Sequence, residues 1–150
     1  MPEQNPEIRK MNFNEVPVGY TFELAQEEAS RCLQCKKPGC VEGCPVAVDI
    51  PGIINFITKG DMTGSIRNLW SRNSLPAVCG RVCPQEIQCE QRCILAKRGD
   101  PVAVGHLERF SADYERAYGT GELPPNAPAT EKKVAVIGSG PSGLTVSGDL

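Results

Sequence analysis

Cys32-Leu33-Gln34-Cys35-Lys36-Lys37-Pro38-Gly39-Cys40-Val41-Glu42-Gly43-Cys44-Pro45 and Cys79-Gly80-Arg81-Val82-Cys83-Pro84-Gln85-Glu86-Ile87-Gln88-Cys89-Glu90-Gln91-Arg92-Cys93 contain all 8 cysteines of the chain. Reduced to spacing, they read Cys-x2-Cys-x4-Cys-x3-Cys-Pro and Cys-x3-Cys-x5-Cys-x3-Cys. Closely spaced cysteines on loops suit an iron–sulfur cubane, to which a more distant one can add the last ligand. The thiolates are enough for two four-iron, four-sulfur clusters, and a chain holding two such clusters is expected to move electrons. Three other readings compete. Structural zinc usually takes two Cys-x2-Cys knuckles, and this chain has one. A disulfide framework belongs with secretion, and inert buried thiols rarely cluster so tightly.

The remainder of the composition is unremarkable for a water-soluble protein. The 150 residues are 40% hydrophobic and 23% charged, with a formal charge of −2, room for about one domain. That balance gives no reason to expect nucleic acid or an anionic membrane as partner. No apolar run approaches a membrane span. The opening MPEQNPEIRK lacks the apolar centre of a secretory signal, so the expected location is cytoplasmic and the thiols reduced unless metal holds them.

Around the cysteines the pattern is helical. Residues 1–20, broken by Pro2, Pro6 and Pro17, read as an extended arm. Thr21 can cap a helix to about Leu33, with Ala25, Ala29 and Cys32 on one face. Asp49-Ile50-Pro51 opens a second helix and Asp61 caps a third running through Trp70. Leu75 to Gly80 reads as a Pro/Gly-rich stretch, Glu86 to Lys97 as a short helix carrying Cys89 and Cys93, and Val104 to Tyr118 as the last helix. His106, the single histidine, is assigned no role. Arg31, Lys36, Lys37, Arg81 and Arg92 flank the cysteines and can offset cluster charge, steer a partner, or form a solvated face. Domain boundaries follow: a helical unit over 1–118, a linker over 119–131 with Pro124, Pro125 and Pro128, and a different texture over 132–150.

That last stretch begins with Lys133-Val134-Ala135-Val136-Ile137-Gly138, whose continuous apolar run is typical of a buried parallel strand. Gly138-Ser139-Gly140-Pro141-Ser142-Gly143 then opens a helix, the context in which a G-x-G-x-x-G fingerprint binds a dinucleotide pyrophosphate. An ordinary strand–turn–helix is the alternative. No acidic residue for the ribose follows within the chain, so these residues are expected to be the opening of an incomplete fold. They should be loosely packed or lean on another copy, and should not hold FAD tightly or oxidise NADPH by themselves.

The first run resembles the bacterial ferredoxin run, in which the cysteine before proline ligates the other cluster. Cys32, Cys35 and Cys40 can then wrap one cluster while Cys44 points to a second. More specifically, Arg31-Cys32-Leu33-Gln34-Cys35, Gly43-Cys44-Pro45-Val46 and Cys79-Gly80-Arg81-Val82-Cys83-Pro84-Gln85-Glu86 resemble the N-terminal iron–sulfur domain of NADPH-dependent glutamate synthase small subunits. They are similar also to the large subunit of NADH-dependent ferredoxin:NADP oxidoreductase and, more distantly, to dihydropyrimidine dehydrogenase. The resemblance covers the whole chain.

It implies a mainly α, helical ferredoxin-like domain, followed by the first strand–turn–helix of a Rossmann-type FAD-binding domain. It implies that Cys32, Cys35, Cys40 and Cys93 hold one 4Fe–4S cluster. Cys44, Cys83 and Cys89 would hold the other, completed by Glu108 of Gly105-His106-Leu107-Glu108-Arg109-Phe110, with Cys79 spare. On its residue type alone Glu108 would be read as a solvated charge. The resemblance further implies that Gly138 to Gly143 bind FAD in an NADPH-dependent oxidoreductase. The clusters would relay electrons between the flavin and a partner redox subunit, either a glutamate synthase large subunit or a ferredoxin/flavin subunit. A zinc-stabilised module without redox activity is the alternative of a different kind.

Overall fold

The computed structural model describes residues 1–119, 121 and 127–150. Its elements are helices α1 (Pro6–Arg9), α2 (Phe22–Ser30), α3 (Gly39–Gly43), α4 (Ile50–Thr58), α5 (Met62–Trp70), α6 (Pro76–Val82), α7 (Val104–Tyr118) and α8 (Pro141–Asp149). Two 3-10 turns, Gln85–Ile87 and Ile94–Lys97, lie between α6 and α7. No helix among the described residues is long and apolar enough to cross a membrane.

Local chemistry sets most helix starts. Thr21 Oγ1 accepts from Leu24 N at 3.3 Å, Asp49 Oδ1 from Gly52 N at 3.1 Å, and Asp61 Oδ1 from Gly64 N at 2.8 Å. Each satisfies an amide that the first turn leaves unpaired. Gly60, at φ +74, turns the chain between α4 and α5 in a conformation that costs other residues energy. Helices α2, α4, α5 and α7 then bury Ala25, Ala29, Ile53, Ile54, Ile57, Ile66, Leu69 and Leu107 against one another. Inside this core the hydroxyls of Ser65 and Ser111 pair at 2.9 Å, linking α5 to α7.

Helix α7 has no local cap, because Ala103 precedes it. Distant carboxylates serve instead. Glu28 of α2 accepts from Ala103 N at 2.8 Å, and Glu90 of the second cysteine run accepts from Gly105 N at 3.2 Å. Burial raises the Glu90 carboxyl above its usual range, against the lowering effect of the Gly105 and Val104 amides. Arg31 holds Glu28 at 2.6 Å and donates to the carbonyls of Asp100 and Pro101. The start of α7 is thus positioned by α2 and by the cysteine loop together.

Four readings of the sequence are corrected. Residues 1–20 are not an extended arm. They fold back through a bridge between Glu3 and Pro17 and the short α1, and Arg109 anchors them. That guanidinium is 5% exposed and donates to Pro17 O at 2.9 Å. It pairs with Glu15 at 3.2 Å and Asp113 at 3.3 Å. Replacing Arg109 with leucine should cost about 2 kcal/mol, toward the low end for a buried cation because Arg81 still partners both carboxylates. Limited proteolysis should then cut within residues 1–20 before the helical core.

The second correction concerns Pro76–Val82, which is a helix and not merely a Pro/Gly-rich stretch. Pro76 occupies its first turn, where the missing N–H is harmless. The third concerns Glu86 to Lys97, where two 3-10 turns replace the expected helix. Glycine and proline alone do not distinguish these outcomes. The strand expected over 133–138 is likewise not formed among the described residues. A strand needs a neighbour to pair its amides, and none lies beside it. Helix α8 does follow the glycines but buries no residue. Its tie to the helical unit is Ser74 Oγ to Asp149 Oδ1 at 2.9 Å. Of the expected linker, Pro124 and Pro125 lie outside the described residues.

Candidate iron–sulfur centres

Helix α3 passes the 88–92 backbone so closely that side chains are excluded. A methyl group on Gly39 would stand 2.7 Å from the carbonyl oxygen of Arg92, and one on Gly43 would stand 2.7 Å from that of Gln88. The two segments run in opposite directions, and each contact residue immediately precedes a cysteine. Cys40 is thereby brought toward Cys93, and Cys44 toward Cys89. A second close approach sits beside it: a methyl on Gly80 would lie 2.6 Å from Arg109 N. That contact sets Cys79 of α6 and Glu108 of α7 at the same level of two touching helices.

The result is two neighbouring groups, each drawn from both runs. Cys32, Cys35, Cys40 and Cys93 line one cavity of about 250 Å³, with Ile50, Ile54 and Val102 as part of its apolar wall. That volume equals roughly eight waters of bulk liquid, much more than one ion fills. Burial, with the neighbouring Cys32 and Cys93 acting in the same direction, pushes the Cys40 thiol up to about 11. Burial also raises Cys32, with Cys35 and Cys93 adding to the shift. Gln34, at φ +48, turns its amide back to donate to Cys32 Sγ at 3.5 Å and to Pro51 O at 3.1 Å. Such donors to sulfur tune a cluster's potential.

The other group is Cys44, Cys83, Cys89 and Glu108, with Cys79 adjoining. Burial lifts Cys83 to about 11, and Cys79, Glu108 and Cys44 push the same way. Burial lifts Cys89 to about 12, again with Cys44 and Glu108 among its neighbours. Glu108 is therefore no solvated charge. Burial raises its carboxyl to about 7, opposed by a hydrogen bond from Asn73 Nδ2 at 2.6 Å. Asn73 gave no signal in the sequence beyond its position before the Ser74-Leu75-Pro76 helix entry. His106 is half-buried. Its ring meets Tyr20 edge-on at 5.8 Å, and burial lowers its pKa.

The Glu108 environment gives a pH dependence for the cluster-free chain. A carboxyl near 4.5 when unfolded and about 7 when folded favours folding below pH 4.5. That advantage is lost as pH rises through 7, a change on the order of 3 kcal/mol. Denaturant unfolding of the apo-chain at pH 5 and pH 7.5 should register the decline, and Glu108→Gln should flatten it.

The donors, soft sulfur groups around a cavity, are of the type that suits a cluster. Thiols held protonated by burial must release protons when they ligate iron. Of the flanking cations, Arg31 and Arg81 are engaged internally, whereas Lys36, Lys37 and Arg92 are exposed and make no ion pair among the described residues. The glycines at 138–143 form a turn, with Gly138 at φ +104, and none touches the cysteine groups.

Comparison with known proteins agrees with this chemistry. Residues 9–120 match the family described as dihydropyrimidine dehydrogenase domain II, 4Fe-4S cluster. The glutamate synthase [NADPH] small chain of Azospirillum brasilense is 33% identical over the full length of this chain. The corresponding small chain of Escherichia coli is 37% identical over 95% of it. The NAD-dependent dihydropyrimidine dehydrogenase subunit PreT of Escherichia coli is 37% identical over 98%. The chain spans only 32%, 30% and 34% of these relatives. What they have in common with it is the part that includes the cysteine runs, and on the match over residues 9–120 the chain belongs to this family of 4Fe–4S domains.

Proposed function

We propose that the chain is the electron-relay portion of a flavin-dependent iron–sulfur oxidoreductase. The observation carrying this is the pair of adjoining cysteine groups, each assembled from both runs. In this reading Cys32, Cys35, Cys40 and Cys93 hold one 4Fe–4S cluster, and Cys44, Cys83, Cys89 and Glu108 hold the second. When bound, the clusters supply one-electron carriers. The chain's own residues set their separation through the Gly39 and Gly43 contacts, exclude water with the Ile50–Ile54 wall, and offer Gln34 as a donor to sulfur.

In the same reading residues 1–118 are the cluster-binding unit, 119–131 a linker, and 132–150 the start of a Rossmann-type FAD-binding fold. Gly138, Ser139, Gly140, Pro141, Ser142 and Gly143 would face the FAD pyrophosphate. The turn at Gly138 and the helix that follows favour this, since a helix N-terminus attracts phosphate. NADPH would reduce the FAD, and the clusters would pass electrons to a partner subunit in the cytoplasm. The relatives named above differ in substrate, so the relay is the shared property and the final acceptor belongs to the partner. Glutamate synthase is the favoured setting, with a ferredoxin:NADP oxidoreductase the alternative. The exposed Lys36, Lys37 and Arg92 favour a partner with an acidic face.

Potentiometric titration of the full-length, cluster-loaded protein, followed by EPR, tests the relay. Two reducible clusters that fill with electrons from NADPH support it. A protein whose flavin is reduced by NADPH while both clusters stay oxidised, at potentials that NADPH can reach, contradicts it.

A further inference from the structure

We propose that Asn73 selects Glu108 over Cys79 as the fourth ligand of the second cluster. The proposal rests on the ligand set given above. Both donors are close enough to compete. Gly80 against Arg109 fixes α6 on α7, and a single side chain, Asn73, is within hydrogen-bond reach of both Cys79 and Glu108. A thiolate is the softer ligand and the better match for iron–sulfur chemistry, so proximity alone would favour Cys79.

Asn73 stands between them, 7% exposed. Its Oδ1 accepts from Leu75 N at 3.0 Å, and that amide can only donate. The side-chain orientation is thereby fixed. Nδ2 must face Glu108, where it donates to Oε1 at 2.6 Å and leaves Oε2 free to bind. Oδ1 must face Cys79, whose Sγ donates to it at 3.5 Å. One amide therefore aims the carboxylate into the site and retains the sulfur outside it. Asn73 itself touches no iron in this arrangement; it is a positioning residue.

The test uses the full-length protein assembled anaerobically, read by iron and sulfide content and by EPR of the second cluster. With Asn73 in place, Glu108→Ala should leave the second site one iron short, about seven irons per chain against about eight. Adding Asn73→Ala should free Cys79 to bind and restore the missing iron. Adding Cys79→Ala as well should abolish the restoration, whereas Cys79→Ala alone should leave both clusters unchanged. Asn73→Asp, which keeps the acceptor for both Leu75 N and Cys79 Sγ and loses only the donor toward residue 108, should not restore iron to Glu108→Ala. The first cluster's signal reports whether each variant has folded. If Asn73→Ala does not restore iron while the first cluster is intact, or if Asn73→Asp restores it equally, the selection is overturned. If Glu108→Ala alone leaves the second cluster untouched, the ligand set itself fails.

Discussion

Cys93→Ala is expected to eliminate the same cluster as Cys40→Ala, although the two residues lie in different runs. Both should lower iron from roughly eight to roughly four per chain and remove the same EPR signal. Cys44→Ala and Cys89→Ala should remove the other. The reason is the antiparallel passage of α3 and the 88–92 backbone, which pairs Cys40 with Cys93 and Cys44 with Cys89. If each run instead held its own cluster, Cys93→Ala and Cys89→Ala would erase one signal together while Cys40→Ala and Cys44→Ala erased the other.

Gly43→Val should be strongly damaging although it leaves every cysteine in place. Its Cβ would stand 2.7 Å from Gln88 O and 3.0 Å from Gln88 C. Neither is a flexible side-chain end, so backbone must move. Overpacking of this kind typically costs about 1–3 kcal/mol, and here the displacement also separates Cys44 from Cys89. Iron incorporation at the second site should fall by more than half, and the melting temperature of the loaded protein should drop with it. Gly99→Val, where nothing lies within 4 Å, is the matched control and should change neither.

The helical frame was legible because its signals are local. Thr21, Asp49 and Asp61 mark helix starts by side chains that reach amides three residues on, and Ala25, Ala29, Ile53 and Ile57 recur at helical spacing. The cysteine runs declared iron–sulfur chemistry through spacing alone. What was illegible depends on distant partners. Arg109 looks like a surface charge on an amphipathic helix until the folded arm places Glu15 and Pro17 over it. Glu28 and Glu90 cap a helix far from them in sequence. Asn73 acquires its place beside Glu108 only through the packing of α6 on α7. Glu108 itself was reached by resemblance, and its burial would not follow from residue type. The 3-10 turns around Cys89 reflect a loop shaped by its contact with α3, which helical propensity does not encode.

Iron, acid-labile sulfide and zinc measured on the anaerobically assembled chain decide whether it carries two 4Fe–4S clusters. Roughly eight irons and eight sulfides per chain with negligible zinc are expected. About two zinc ions per chain and no sulfide would contradict it.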